Sequence, residues 1–261
     1  MPLIILAAGQ GSRLRPLTDD CPKAMVPFAG RPLIEWTLGA AQDAGLADVV
    51  VVGGHRADRL GGYPVTLLHN AEFASTSMVE TLFRAEDHFG RGFVMSYGDI
   101  AFRPWVLQAL LVNPAEIATV VDLDWRAYWE RRFADPLADA ESLRLRPDGT
   151  IESIGQRVAG IDEIQAQYIG LVAFRGAGVG ALRATFRRAV ADAAAGRPVL
   201  GRRPDLRSLA MTDVLDELAR GAVPVTAVPV RGGWIEIDSP GDIAPAEERW
   251  AAAGPAGSRP S

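Results

Sequence analysis

The chain has 261 residues, 48% apolar and 23% charged, with a formal net charge of −5. This is the make-up of a globular protein with a sizeable core. The acidic balance excludes a nucleic-acid groove, which needs a basic stripe, and no apolar run nears the ~20 residues of a membrane span.

Leu3 to Ala8 is a wholly apolar run ended by Gly9, the pattern of a strand buried on both faces. A Gly/Ser/Arg loop follows. Pro32 opens a helix through Trp36, Leu38 and Ala41, closed by Gly45. Val49–Val52 and Val65–Leu68 read as the next strands. Ser75-Thr76-Ser77 offers N-cap hydroxyls, with Glu80 as capping-box partner of Ser77, and a helix runs on through Leu82, Phe83 and Ala85. Phe93–Tyr97 is a fourth strand, ending at Gly98-Asp99; a helix around Pro104–Leu111 and a strand at Ile117–Leu123 follow. This alternation predicts an α/β fold with a mostly parallel sheet and helices on both faces.

From Asp124 to about Gln165 the pattern breaks. Aromatics, arginines and a Pro147-Asp148-Gly149 turn between two strand-like pieces predict a hairpin-bearing substrate insert within the same domain. Gln165–Phe174 is a strand and Val179–Ala195 a helix. A Pro/Arg-rich loop, Arg197–Arg207, leads to a helix from Thr212 to Arg220 that Thr212 is expected to cap. Val223–Val230 and Trp234–Asp238 are late strands. Residues 251–261 are Ala, Gly, Ser and Pro with one Arg and read as a disordered tail, which leaves one domain over residues 1–250.

Cys21 is alone, so no intramolecular disulfide forms. Met1 to Leu6 lacks a basic leader and reaches Gly9 too soon for a signal peptide; with the single cysteine this predicts a cytoplasmic location. His55, His69 and His88 are too scattered for a zinc site.

The strongest chemical pattern is Leu6-Ala7-Ala8-Gly9-Gln10-Gly11-Ser12-Arg13-Leu14, continuing to Pro22-Lys23. Glycines after the first strand of an α/β sheet let backbone amides approach phosphate oxygens. Arg13 and Lys23 would hold a triphosphate and neutralise a leaving pyrophosphate. Leu14 stands where a dinucleotide fingerprint has its third glycine, and no Gly-Lys-Ser/Thr follows as a P-loop requires. A plain strand-to-helix turn is the alternative, and Arg13 and Lys23 weigh against it.

These residues, with Pro16-Leu17-Thr18, Pro22-Lys23-Ala24-Met25-Val26-Pro27 and Gly30-Arg31-Pro32-Leu33-Ile34, resemble the signature of sugar-phosphate nucleotidyltransferases. Asn70 to Leu82, Tyr97-Gly98-Asp99, Asp135 to Glu141, Gln167 to Leu171 and Gly232 to Ser239 look like its phosphocholine and phosphonate cytidylyltransferase branch. The resemblance covers nearly all of residues 3–250. It implies a single Rossmann-like (GT-A-like) domain that transfers CMP from CTP to a small anionic acceptor and releases pyrophosphate, leaving room for a homodimer. It implies Mg²⁺ on Asp99 and Asp238. It also implies nucleotide contacts from Leu6, Ala7, Ala8, Gly9, Gly11, Ser12, Arg13, Lys23, Asn70, Ser77 and Gly98, with backbone near Ala7 and Ala8 reading the base.

Carboxylate spacing points toward a cation as well. Glu236 and Asp238 are two apart on a strand and share a face, and hard cations take carboxylate oxygens with substrate phosphates. Asp238 could instead cap a helix beginning near Ser239-Pro240. Asp122, Asp124, Trp125, Tyr128 and Trp129 cluster with Arg126, Arg131 and Arg132. The aromatics could cage a quaternary ammonium, the arginines could grip a carboxylated phosphonate, or both could be structural. Trp125, Tyr128, Arg131, Arg157, Tyr168 and Glu236 are the acceptor candidates. Gln156-Arg157, where relatives carry lysine, and Thr76-Ser77, where they carry Thr-Asn, turn the expectation toward phosphonoformate-like or hydroxyethylphosphonate-like acceptors ahead of phosphocholine. The alternatives are a sugar-1-phosphate nucleotidyltransferase using UTP, dTTP or GTP, and a non-catalytic nucleotide-binding regulatory module.

Overall fold

A strand that is apolar on both faces has one stable place, the middle of a sheet covered on each side. The computed structural model, which describes residues 1–253, puts β1 (Leu3–Ala7) there. Leu3, Ile5 and Ala7 enter one core and Ile4 and Leu6 the other, by the period-two alternation of a strand.

After a two-residue hairpin, β2 (Pro27–Phe28) and β3 (Arg31–Pro32), come α1 (Leu33–Asp43), β4 (Val49–Gly53), β5 (Thr66–His69) and α2 (Met78–Phe83). The Ser77–Glu80 capping box is formed: Ser77 Oγ accepts from the Glu80 amide at 3.1 Å, and a Glu80 oxygen accepts from the Ser77 amide at 2.8 Å. Then follow β6 (Gly92–Tyr97), β7 (Ile100–Phe102), α3 (Pro104–Val112), β8 (Ile117–Asp122) and α4 (Trp125–Arg132). The last third carries the hairpin β9 (Leu143–Leu145) and β10 (Ile151–Ile154), β11 (Gln167–Arg175), α5 (Gly176–Ala194), α6 (Met211–Ala219), β12 (Val225–Val230), β13 (Trp234–Glu236) and α7 (Ile243–Ala252).

Seven strands form the main sheet in the order β12-β8-β11-β6-β1-β4-β5. All neighbours are parallel except β11, which runs antiparallel to both β6 and β8. The sheet is therefore the mixed, mostly parallel one expected. Helices α1, α3, α4 and α7 cover one face, and α2, α5 and α6 the other.

Four expectations are corrected. The Asp124–Gln165 region does carry its hairpin, but it opens with α4. Trp125, Tyr128, Trp129 and Arg132 are spaced i, i+3, i+4, i+7, so one helical face buries all of them. Thr212 does not cap α6. The amide of Ala210 donates to Asp213 Oδ2 at 2.8 Å, and Thr212 is buried inside the first turn. The short β7 was not anticipated. The expected tail overlaps α7, which runs to Ala252, and residues 254–261 lie outside the described residues.

Candidate active site

The carboxyl ends of β1 and β6 lie side by side. The Gly98 amide donates to the Leu6 carbonyl at 2.9 Å, and a Cβ on Gly98 would sit 2.6 Å from that same oxygen. Only glycine permits this approach. Gly11 turns the following loop with a φ of +60° and returns its carbonyl to the Thr18 hydroxyl at 2.8 Å. The loop and the two strand ends enclose a cavity of about 220 Å³, lined by Leu6, Ala7, Gly9, Gly11, Ser12, Arg13, Lys23, Gly98, Asp99 and Asp238, with Ala24 and Met78 in addition.

Asp99 and Asp238 meet because β7 pairs antiparallel with β13, setting Ile100 opposite Glu236 and Phe102 opposite Trp234. The Ile237 amide then donates to the Asp99 carbonyl at 3.1 Å. Ile235 and Ile237 point into the core, so Glu236 and Asp238 turn the other way, and Asp238 lines this cavity. Oxygens of Asp99, Glu236 and Asp238 lie within 4.8 Å of one another. Lys23 Nζ sits among them, 2.6 Å from Asp99 Oδ2 and bonded to Asp238 Oδ1, while Arg13 holds Asp238 Oδ2 at 2.6 Å.

Asp238 does not cap a helix. Asp242 does: its Oδ2 accepts from the amides of Asp238 and Ser239 and from the Ser239 hydroxyl, at 2.7–3.0 Å. Its other oxygen takes Arg132 at 2.8 Å, and Arg132 also holds Glu236 at 2.8 Å. The carboxylates are thus fixed from below by a buried guanidinium.

Burial works against the charge of Lys23, but Asp99, Asp238 and Glu236 outweigh it and hold its pKa above the usual range. Glu236 is pushed up to about 7, by burial first; Arg132 opposes this, and Asp99 and Asp238 add to it. A site that crowds three acids and needs a lysine to balance them is suited to a hard divalent cation. Among the described residues, Asp99 Oδ1 is buried without a hydrogen-bond partner, a ligand atom of the right kind. The donors present therefore fit Mg²⁺.

Glu236 also borders a second pocket of about 220 Å³, with Tyr97, Trp129, Asp139, Glu141 and Tyr168. The three acids stand between the two pockets. Burial pushes the carboxyls of both Asp139 and Glu141 up. Asp139 accepts from the Trp129 indole at 3.1 Å and Glu141 from the Thr212 hydroxyl at 3.3 Å. A third, larger cavity of about 980 Å³ shares Asp139 and Glu141 with this pocket and includes Arg157.

Of the acceptor candidates, Tyr168 and Glu236 line the second pocket and Arg157 the third. Trp125 and Tyr128 do not line either: they are 3% and 2% exposed in the core, and the Tyr128 hydroxyl donates to the Glu236 carbonyl at 3.0 Å. Tyr128 therefore supports the site from behind. Arg131 points to the outside and pairs with Glu248. Among the nucleotide candidates, Ala8 lies off the cavity, its carbonyl accepting from the His55 amide at 3.1 Å. Asn70 is buried and ties its own loop to Thr76 and Thr81, and Ser77 is occupied as the cap of α2. Met78 was not anticipated; Trp129, Asp139 and Glu141, which line the second pocket, stood in the aromatic cluster and in the Asp135–Glu141 stretch but not among the acceptor candidates. The i, i+3, i+4 spacing on α4 marks Trp129 as part of its buried face; Asp139 and Glu141 carry only the resemblance of their stretch, and no local pattern marks Met78.

A family model for the MobA-like NTP transferase domain matches residues 3–210. The CTP:phosphoglutamine cytidylyltransferase of Campylobacter jejuni is 35% identical over 254 residues, which are 93% of this chain and 98% of that protein. The choline-phosphate cytidylyltransferase of Streptococcus pneumoniae is 30% identical over 107 residues, 40% of this chain and 47% of its own. Among solved structures, the inositol-1-phosphate CTP transferase from T. maritima superposes with a TM-score of 0.73 over 98% of both chains at 19% identity, a likeness of fold. The family match over most of the chain and the end-to-end likeness to the C. jejuni enzyme agree with the glycine loop and its acids: the chain belongs to the MobA-like NTP transferase family, among its cytidylyltransferases.

Proposed function

We propose that this protein transfers CMP from CTP to a small phosphorylated acceptor carrying a cationic nitrogen, with Mg²⁺ held by Asp99, Asp238 and Glu236. The observation that carries this reading is the placement of three converging acids between a glycine-loop cavity and a second pocket walled by aromatics and carboxylates. Phosphoglutamine and choline phosphate, the acceptors in the relatives' names, each combine a phosphoryl group with a cationic nitrogen. Tyr97, Tyr168, Trp129, Asp139 and Glu141 suit such a cation. This moves the favoured acceptor away from the phosphonoformate and hydroxyethylphosphonate types, toward which Gln156-Arg157 and Thr76-Ser77 turned the expectation and which lack the cation.

The loop amides at Gly9 and Gly11, with Arg13 and Lys23, bind the triphosphate. Mg²⁺, when bound, neutralises phosphate charge. An acceptor phosphoryl oxygen attacks the α-phosphorus. A new P–O bond forms, the bond to the β-phosphate's bridging oxygen breaks, and pyrophosphate leaves with that electron pair. The attacking oxygen is anionic near neutral pH, so no protein base is needed, and the site acts by positioning and charge.

The test is pyrophosphate release with Mg²⁺ and each of CTP, UTP, GTP, ATP and dTTP against phosphoglutamine, phosphocholine, aminoalkyl phosphonates and sugar-1-phosphates. Release confined to CTP with the nitrogen-bearing acceptors is the expected result. Turnover of a sugar-1-phosphate in preference would overturn the acceptor class, and silence with every pair would overturn transfer itself.

A further inference from the structure

The glycine loop runs from Ala8 to Thr18, and one residue outside it holds both ends. His55 follows Gly54 just past the carboxyl end of β4. Its amide donates to the Ala8 carbonyl at 3.1 Å, and its ring Nε2 lies 3.0 Å from the Thr18 carbonyl. A carbonyl only accepts, so Nε2 carries the proton in this contact. The hydroxyl of Thr18, a buried residue, donates in turn to the Gly11 carbonyl at 2.8 Å. Ala8, Gly11 and Thr18 are thereby tied to one another and to the sheet through His55.

Close packing sets the imidazole in place. A Cβ on Gly54 would sit 2.7 Å from the Ala8 carbonyl oxygen and 2.5 Å from Phe73 Cβ, so only glycine lets the chain after β4 approach Ala8 this closely. The Phe73 ring stands beside the imidazole, centre to centre 6.1 Å. Its own segment is held as well: the Phe73 amide donates to the Asn70 carbonyl at 3.2 Å, and the Asn70 amide to the Gly53 carbonyl at 2.8 Å. The consequence falls on the phosphate cavity, which Gly9, Gly11, Ser12 and Arg13 of this loop line and His55 does not. A carbonyl oxygen facing a triphosphate repels it, whereas an amide attracts it. The Gly11 carbonyl accepts from the Leu14 amide at 2.9 Å and from the Thr18 hydroxyl, so it is engaged within the loop and the amide edge is left for phosphate.

Resting on the nucleotide reading above, we infer that His55 is a positioning residue for the triphosphate: its Nε2–H fixes Thr18, and Thr18 fixes Gly11 in the conformation that presents the loop amides. His55 acts through the loop and does not touch the nucleotide. A loop held in this way before the nucleotide arrives loses less freedom on binding, and the difference appears as affinity. What position 55 requires is an N–H donor at that reach.

Calorimetry with CTP and Mg²⁺, without acceptor, tests this. In His55→Ala the Kd for CTP should rise about two- to tenfold, as for the loss of one neutral hydrogen bond. His55→Gln, whose side-chain amide can carry an N–H to the same carbonyl, should recover most of that loss. In turnover the KM for CTP should follow the Kd, and the KM for phosphoglutamine should stay unchanged. Thr18→Val keeps the shape of residue 18 and removes its hydroxyl. It should raise the Kd in the same direction, and it supplies the readout if His55→Ala does not fold. A packing role alone would lower the melting temperature of His55→Ala and His55→Gln without nucleotide and leave the Kd unmoved. An unchanged Kd in either folded variant, His55→Ala or Thr18→Val, would overturn this inference and leave the nucleotide reading standing. So would an equal loss of affinity in His55→Ala and His55→Gln. No binding of CTP by the wild-type protein would overturn both.

Discussion

Lys23 Nζ occupies the centre of three acids, and its partners lie far from it in sequence. Its charge balances the carboxylates, and in the proposed reaction it binds the triphosphate. Two effects of Lys23→Ala follow. Removing a cation aimed at developing phosphate charge should lower kcat/KM by about 10²–10³-fold. It should also lower the melting temperature in EDTA at low salt, because three acids within 4.8 Å then repel without compensation. Mg²⁺ should reverse the second effect and not the first. Thermal scans with and without Mg²⁺, beside steady-state kinetics, read both; an unchanged melting temperature in EDTA would contradict the balancing role. Lys23 and the glycines before it are legible in the sequence because they form one continuous stretch. Asp139 and Glu141 are not, because an acid in a loop shows its function only when its neighbours are known.

On α4, two adjacent arginines have opposite fates. Arg132 is fully buried and holds Glu236 and Asp242, whereas Arg131 reaches outward to Glu248, both partners being more than half exposed. Breaking a buried pair leaves uncompensated charge and costs about 3–5 kcal/mol, while an exposed pair is worth about 0–1 kcal/mol. Arg132→Ala should therefore destabilise by several kcal/mol in denaturant unfolding and weaken catalysis by loosening Glu236. Arg131→Ala should be close to neutral in both. Equal effects would refute the assignment. Composition alone made both arginines candidates for the acceptor, and helical periodicity separates them: position 132 falls on the face of Trp125, Tyr128 and Trp129, and position 131 does not. The same pairing logic operates at β7 and β13, each three residues long. β7 is too short for a period to register, and its pairing with β13 is written in neither stretch, yet their register brings Asp99 to Glu236 and Asp238.

At the scale of the whole molecule, the sheet gathers strand ends, and the proposed phosphate site lies where β1 and β6 finish side by side, as open α/β sheets dictate. A nucleotide that binds there stabilises the fold by mass action, by about 2.7 kcal/mol at a hundred times its Kd. For a chain of this size that is a rise in melting temperature of roughly 5–10 °C. CTP with Mg²⁺ should give this shift and UTP, GTP and ATP at equal concentration a smaller one; equal shifts for all four would refute base selection. The sequence by itself determined the α/β alternation, the glycine loop with Arg13 and Lys23, the shared face of Glu236 and Asp238 and the Ser77–Glu80 cap, since each is written within a few consecutive residues or one period. Only the tertiary structure decided that Asp242, not Asp238, caps the segment after β13, that Tyr128 and Trp125 are core, that Asn70 and Ser77 serve their own loop, and that Asp139, Glu141, Arg157 and Arg203 face a common space. Those outcomes depend on which distant elements pack together, and burial and pairing between them are properties of the packed molecule, not of any local stretch of chain.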